Sequence, residues 1–259
     1  MIHDPIIIVK NLHKAFGRLI VLDGVDLAIA QGQTTVIIGP SGSGKSVFLK
    51  TIVGLIKPDR GRVIFNGENL TRLPERKLAR VRTKFGFLFQ GAALFDSMTV
   101  GENVAFPLEE HQVGTGEDRR RRVADVLGMV GLDGLQDRFP EELSGGQKKR
   151  VALARAIVLN PEVILYDEPT TGLDPIRADL INELIRRLQR TLRVTSIVVT
   201  HDMASARRVA DRILMLHNGQ FIADATPDHL ETIQNETVRR FIEGRASEEE
   251  LGELSRGST

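Results

Sequence analysis

The sequence predicts an α/β fold in which helices cover a mostly parallel core sheet, and three observations predict it. Short β-branched and aliphatic runs alternate with amphipathic helical patterns along most of the chain. One of those runs, Thr34–Ile38, ends directly in a glycine-rich turn. From about Gly101 to Asn160 the strand signals stop and helical patterns dominate. Strands separated by helices imply parallel pairing. The strand-free middle implies a helical subdomain inserted at roughly 97–160.

In chain order, Ile6–Leu12 and Val21–Ile29 read as strands joined by a turn around Gly17, the start of an antiparallel β subdomain. Thr34–Ile38 reads as a buried strand and Ser46–Leu55 as a helix. Arg62–Phe65 is a strand closed by the turn Asn66-Gly67, Pro74–Arg82 a helix, and Phe85–Phe89 a strand. Within the helical middle, Asp118–Val130 has the clearest pattern. Strands return at Val163–Tyr166, Ser196–Thr200 and Arg212–Leu216, with helices Pro175–Thr191 and Ala204–Ala210 between them. Asn218-Gly219 predicts a hairpin into Phe221–Ala223. These elements form one domain over 1–244, leaving a polar tail over 245–259. In the tail, Ser247 and Glu250 fit a capping box for a short helix through Leu254. A frayed terminus fits the same residues.

Bulk properties narrow the function. The 259 residues are 41% hydrophobic and 27% charged, which permits a real core. Lys+Arg 35 against Asp+Glu 34 leaves a net charge of +1, so no global field favours nucleic acid or an anionic membrane. The absence of cysteine excludes disulfides and thiolate metal sites and fits a reducing compartment. Met1–Pro5 lacks the basic and apolar regions of a secretory signal. No stretch approaches the roughly 18 apolar residues of a membrane span. A soluble chain is expected, with any membrane role running through a partner.

Gly39-Pro40-Ser41-Gly42-Ser43-Gly44-Lys45-Ser46 matches G-x-x-x-x-G-K-[ST] and lies between a predicted strand and a predicted helix. Glycines let backbone N–H groups turn inward around phosphate oxygens. The following helix, through Ser46 and Val47, points its positive end at the anion. Lys45 brings a charge to the outer phosphates, and the Ser46 hydroxyl suits Mg²⁺. This makes the chain a candidate P-loop NTPase that binds ATP and Mg²⁺. Such an enzyme needs a carboxylate at a second strand end. Val163–Tyr166 delivers Asp167 to the metal's surroundings and Glu168, one residue on, to an attacking water.

Leu143-Ser144-Gly145-Gly146-Gln147 lies about a hundred residues after Lys45. With the phosphate loop, Gln90, Asp167-Glu168, Gly172-Leu173-Asp174 and Thr200-His201-Asp202 in order, the chain resembles the ATP-binding-cassette (ABC) ATPases to about Gly244. The resemblance implies the fold: an ABC-type ATPase with antiparallel β and helical subdomains around the core sheet. It implies that Gln90 approaches Mg²⁺ and the attacking water, that Glu168 is the catalytic glutamate, and that His201 contacts the γ-phosphate. Asp174 resembles the aspartate that faces a second subunit. Phe16 occupies the place where the family stacks an aromatic on adenine. Tyrosine is the usual residue there, and a core phenylalanine is the competing reading.

In that family LSGGQ serves the nucleotide of another subunit, through Ser144, Gly145, Gly146 and Gln147. One cassette per chain then implies a homodimer closing on two ATP molecules. Repair ATPases of this kind insert a long coiled coil before the signature, and ribosomal relatives usually carry two cassettes; neither feature is present here. Glu168 and His201 argue against a purely regulatory nucleotide binder.

LFQGAALFDSMTVGENVAFPL, Leu88–Leu108, raises a separate question, since Gln90 opens an apolar loop where polar residues are usual. In ABC transporters the equivalent segment forms much of the groove that receives a helix from transmembrane permease subunits. Filling of the ATPase core by Leu94 and Phe95 is the other reading, compatible with the first. Phe89–Asp96, Asn103–Leu108 and Val238–Gly244 resemble the ATPase of Mla-type, MCE-associated phospholipid transporters. That likeness implies a bacterial inner-membrane complex, with the cassette on its cytoplasmic side. It also implies an MCE-domain substrate-binding protein, a STAS-domain partner, and a tail that embraces the second subunit. The ATPase of a small-solute importer, of amino-acid type, is the alternative. The run Arg119–Arg122 reads as a solvated face, or as a contact for lipid headgroups or an acidic partner.

Overall fold

The structure is a computed structural model and describes residues 5–246. The tail helix anticipated from Ser247 lies outside the described residues. Strands β1 (Pro5–Phe16) and β2 (Leu19–Ala30) form a long hairpin around Gly17-Arg18. After β3 (Thr34–Ile38) come α1 (Lys45–Ile52), β4 (Arg60–Phe65), β5 (Glu68–Asn69), α2 (Glu75–Arg82) and β6 (Phe85–Leu88). Three helices follow: α3 (Val100–Glu110), α4 (Gly116–Met129) and α5 (Gly145–Ile157). The chain then runs through β7 (Val163–Asp167), α6 (Pro175–Leu192), β8 (Thr195–Thr200), α7 (Met203–Val209), β9 (Arg212–His217), β10 (Gln220–Ala225) and α8 (Glu236–Glu243).

Two sheets result. The antiparallel one has the order β2-β1-β4-β5. The other has the order β10-β9-β3-β8-β7-β6, with β10 antiparallel at one edge and every other neighbouring pair parallel. Side chains alternate across the parallel strands, as the pleat requires. Val36, Ile38, Ile164 and Tyr166 face a core shared with α3–α7. Ile37, Val163 and Leu165 face a second core, shared with α1 and the antiparallel sheet. Both faces of the parallel sheet are thus dry, which accounts for its near-continuous apolar strands.

The differences from expectation lie mostly at element ends. The first two strands run further than their apolar patterns because they pair to the hairpin tip, Phe16 opposite Leu19. Helix α1 ends at Ile52 rather than Leu55, and Gly54 adopts a left-handed φ of 71° just beyond it. Helix α4 starts at Gly116 because Thr115 and Asp118 form a capping box. The apolar segment after Gln90 is only partly loop. Thr99 and Glu102 cap α3, which takes up the segment from Val100. No strand lies between Leu88 and Val163.

The arginine run is not uniform. Arg120 and Arg121 are exposed, but Arg122 donates to the carbonyls of Ile157 and Val158 and to Asn160, at the C-terminal end of α5. There a cation answers both the unpaired carbonyls and the helix dipole.

Candidate active site

Parallel pairing brings three strand ends to one edge. In register, Ile38 stands opposite Thr200, and Asp167 opposite Val199. The phosphate loop, the Asp167-Glu168 pair and His201 therefore emerge side by side, although 162 positions separate Gly39 from His201. The carboxyl ends of parallel strands are where open α/β sheets bind ligands.

Glycine is obligatory at two places in the loop. Gly39 has φ 151°, and a Cβ there would lie 2.3 Å from the carbonyl oxygen of Leu216. Gly44 has φ 97°, and its Cβ would meet a Val21 methyl at 2.7 Å. Gly44 precedes α1, whose first N–H groups have no partner within the helix. Lys45 is buried and folds back, its Nζ donating to the carbonyls of Gly39 at 2.7 Å and Pro40 at 3.0 Å. Burial lowers its pKa, and the charges of Glu168 and Asp167 oppose that shift. The Ser43 hydroxyl is buried without a partner. A buried orphan hydroxyl, a lysine resting on carbonyls and a free helix start fit a phosphate chain.

Ser46 Oγ donates to Asp167 Oδ1 at 2.6 Å. A hydroxyl and a carboxylate are hard oxygen donors suited to Mg²⁺, which takes its remaining ligands from waters and phosphate. Among the described residues no group of three or more His, Cys, Asp or Glu is gathered as a metal cluster.

Glu168 is the most constrained residue of the site. Its φ of 50° is left-handed, costing a non-glycine residue about 1–2 kcal/mol. Its N–H donates to the Val199 carbonyl at 3.0 Å, and its own carbonyl accepts from Lys149 Nζ at 3.2 Å. A hydrogen bond to a charged group contributes roughly 1.5–3 kcal/mol, enough to hold such a conformation. The carboxylate lies 3.9 Å from Lys45 Nζ and 2.9 Å from His201 Nδ1. Hydroxyls of Thr171 and Thr200 also donate to it, at 3.1 and 3.3 Å. Its side chain is 10% exposed and that of His201 is 50% exposed, so a carboxylate is presented at a wall and a histidine at the surface.

Other anticipated residues lie apart from this cluster. Gln90 is exposed just past β6, and among the described residues no hydrogen bond joins its side chain to Ser46, Asp167 or Glu168. Ser144 is exposed and caps α5 in a capping box with Gln147. Gly145 and Gly146 are next to it, beside Leu173 and Arg177. Asp174 caps α6 by accepting from the Arg177 N–H at 3.0 Å. Phe16 is 49% exposed at the end of β1, with the Lys14 ammonium 5.1 Å from its ring centre. It is an available stacking face rather than a core side chain.

The segment after Gln90 combines both sequence readings. Ala92 is buried and Leu94 half-buried against the core, whereas Phe95 is exposed and packs on Phe106 at 4.9 Å. Phe87, Phe89, Phe95, Phe106, Pro107 and Arg155 line a cleft of about 490 Å³.

Sequence reasoning missed four residues that shape these places. Asp59 accepts from the Ala15 N–H at 2.7 Å and from Lys14 at 2.9 Å, bracing the approach to Phe16. Asn103 is fully buried and bonds to both main-chain groups of Phe95. Arg155 donates to the carbonyls of Ala92 and Ala93. Lys149, in the second turn of α5, is buried against Glu168. The one available signal was polarity on apolar helix faces, as at Asn103 between Val100 and Val104.

The family model described as ABC transporter matches residues 22–171. The chain is 42% identical over 237 residues to the probable ribonucleotide transport ATP-binding protein mkl of Mycobacterium tuberculosis. That alignment covers 92% of this chain and 66% of mkl, so the chain spans about two thirds of that relative. It is 41% identical over 244 residues to the intermembrane phospholipid transport system ATP-binding protein MlaF of Haemophilus influenzae, covering 94% of this chain and 92% of MlaF. Among solved structures, a dimeric post-hydrolysis state of the ATP-binding cassette MJ0796 bound to ADP and Pi superposes with a TM-score of 0.78 at 38% identity. The match covers 85% of this chain and 98% of that one.

Proposed function

The chain belongs to the ABC transporter family, and from this we propose that it is the ATP-hydrolysing subunit of a bacterial lipid transporter, working as a homodimer. The observation that carries the lipid reading is the likeness to MlaF along nearly the whole length of both chains. The aromatic cleft beside Gln90 supports it as the seat of a permease helix. No helix of the described residues is long and apolar enough to cross a membrane. In the proposed assembly, attachment runs through permease subunits, on the cytoplasmic side of the inner membrane. An MCE-domain protein and a STAS-domain protein complete the proposed assembly.

In this reading Lys45 leaves the Gly39 and Pro40 carbonyls for the outer phosphates of ATP, beside the loop N–H groups and the start of α1. Phe16 stacks on adenine. Ser46 and Asp167, with Gln90, would hold Mg²⁺, which would neutralise phosphate charge. Glu168 takes a proton from water as the water oxygen attacks the γ-phosphorus, and the bond to the β-phosphate oxygen breaks. His201 holds the Glu168 carboxylate in place and faces the γ-phosphate. Residues 97–160 act as a helical unit that presents Ser144, Gly145, Gly146 and Gln147 to the nucleotide of the second copy. Asp174 faces that copy as well. The dimeric state of MJ0796 supports this pairing.

The test is mass spectrometry of the native complex after detergent extraction. An MCE-domain protein and phospholipid should accompany the chain. A soluble solute-binding protein in their place would favour an importer of small solutes. A ribosome or DNA would overturn transport altogether.

A further inference from the structure

We propose that Lys149 is a positioning residue that fixes Glu168 for hydrolysis and ties it to the helix that starts at Ser144. The inference rests on Glu168 being the base of the reaction.

Lys148, Lys149 and Arg150 are consecutive, yet their side chains have different surroundings. Lys148 is half-buried, and Arg150 donates to the carbonyls of Val130 and Gly131 beyond α4. Lys149 is 6% exposed, and its ammonium reaches the main-chain oxygen of Glu168 at 3.2 Å. A buried ammonium is unfavourable unless something compensates it. Burial lowers its pKa, and the nearby Glu168 charge acts against that shift. The carbonyl it meets belongs to a residue with φ 50°. On the other side of the same residue, the N–H is fixed to Val199. With both flanking peptides held, the Cα–Cβ direction is set, and with it the line along which the carboxylate meets water.

The arrangement has a mechanical side. The first residue of α5 follows Ser144, and its fifth residue is Lys149. The helix whose start is offered to the second copy's nucleotide thus grips the base of its own site. Any shift of α5 on engagement is felt at the Glu168 carbonyl.

The test compares Lys149→Met, which keeps the stem and loses the donor, with Lys149→Gln, which keeps a donor, in the full-length chain. For Lys149→Met, kcat should fall about 10–100-fold while the KM for ATP and the affinity for a fluorescent ATP analogue stay within about twofold. Lys149→Gln should lose less than about fivefold. In a Glu168→Gln background, Lys149→Met should produce no further loss, because it acts through Glu168. Parental turnover in Lys149→Met overturns the assignment, as do equal losses in both variants or an additive loss in the double variant. A Lys149→Met chain that does not fold makes Lys149 a residue of stability and likewise counts against it. Parental turnover in Glu168→Gln alone would instead strike at the base itself, so the two failures are told apart.

Discussion

His201 Nδ1 lies 2.9 Å from Glu168 Oε2, while the other oxygen of that carboxylate faces Lys45 Nζ at 3.9 Å. One carboxylate therefore joins the surface histidine to the buried phosphate-loop lysine. Glu168→Gln keeps the shape and removes the carboxylate proposed as the base. Hydrolysis should fall about 10²–10⁴-fold. ATP should still bind, and the ATP-bound dimer should last longer. Phosphate release and size-exclusion chromatography with ATP measure both; rapid turnover in this variant would remove Glu168 from its role.

The bond between Ser46 and Asp167 makes a metal prediction. Chelation of Mg²⁺ should abolish hydrolysis, and added Mg²⁺ should restore it. Ser46→Ala should raise the free Mg²⁺ needed for half-maximal turnover by roughly tenfold or more. A Mg²⁺ titration of phosphate release decides it, and an unchanged midpoint would exclude Ser46 as a ligand.

Ser144 lies outside the cluster of Lys45, Asp167, Glu168 and His201, which makes pairing testable. Ser144→Arg and Lys45→Ala should each be inactive as homodimers. Mixed, they should form one complete site, from the loop of the first and the Ser144 turn of the second. Some activity should return on mixing, and a mixture as silent as its components would weaken the shared-site reading.

Asp59 is expected to tune nucleotide binding without touching it. The Ala15 N–H, and then Lys14, hold its carboxyl below the ordinary value of 3.8. A depressed carboxyl contributes its full stabilisation above that ordinary value and loses it as pH falls through the lower folded value. Between pH 6 and 8 its effect should therefore be constant. Asp59→Ala should raise the KM for ATP severalfold at any pH in that window, with kcat unchanged. Phe16→Ala should raise KM about 2–10-fold through lost stacking. Steady-state kinetics across the window check both, and a change confined to kcat would contradict them.

What could be read from sequence was whatever local chemistry dictates. Gly39–Ser46 needs its glycines for backbone reasons and Lys45 and Ser46 for a charge and a hydroxyl, and Val163–Tyr166 announces a buried strand that ends in acid. Asn218-Gly219 gave the hairpin turn, with both residues at positive φ. Lys149 and Arg122 were illegible for the opposite reason. Each belongs to a run of basic residues on a helix, and which member turns inward is set by neighbours far away in sequence: Glu168 for one, Ile157 and Val158 for the other. Asp59 was hidden likewise, since it lies in the turn before β4 and its partner Ala15, on β1, is 44 positions earlier. In the greasy segment caps, not hydrophobicity, decide where loop becomes helix, close to where the helical patterns begin at about Gly101. Thr99 and Glu102 begin α3 inside it.

Ala92 and Ala93 both hold left-handed backbones, at φ 63° and 49°, and Arg155 fastens their carbonyls to α5. Two such residues in succession leave the segment between Gln90 and Phe95 with almost no slack. It behaves as a stiff crank rather than a slack cord. The arginine that fastens it stands on α5, the helix that Ser144 caps and that carries Lys149.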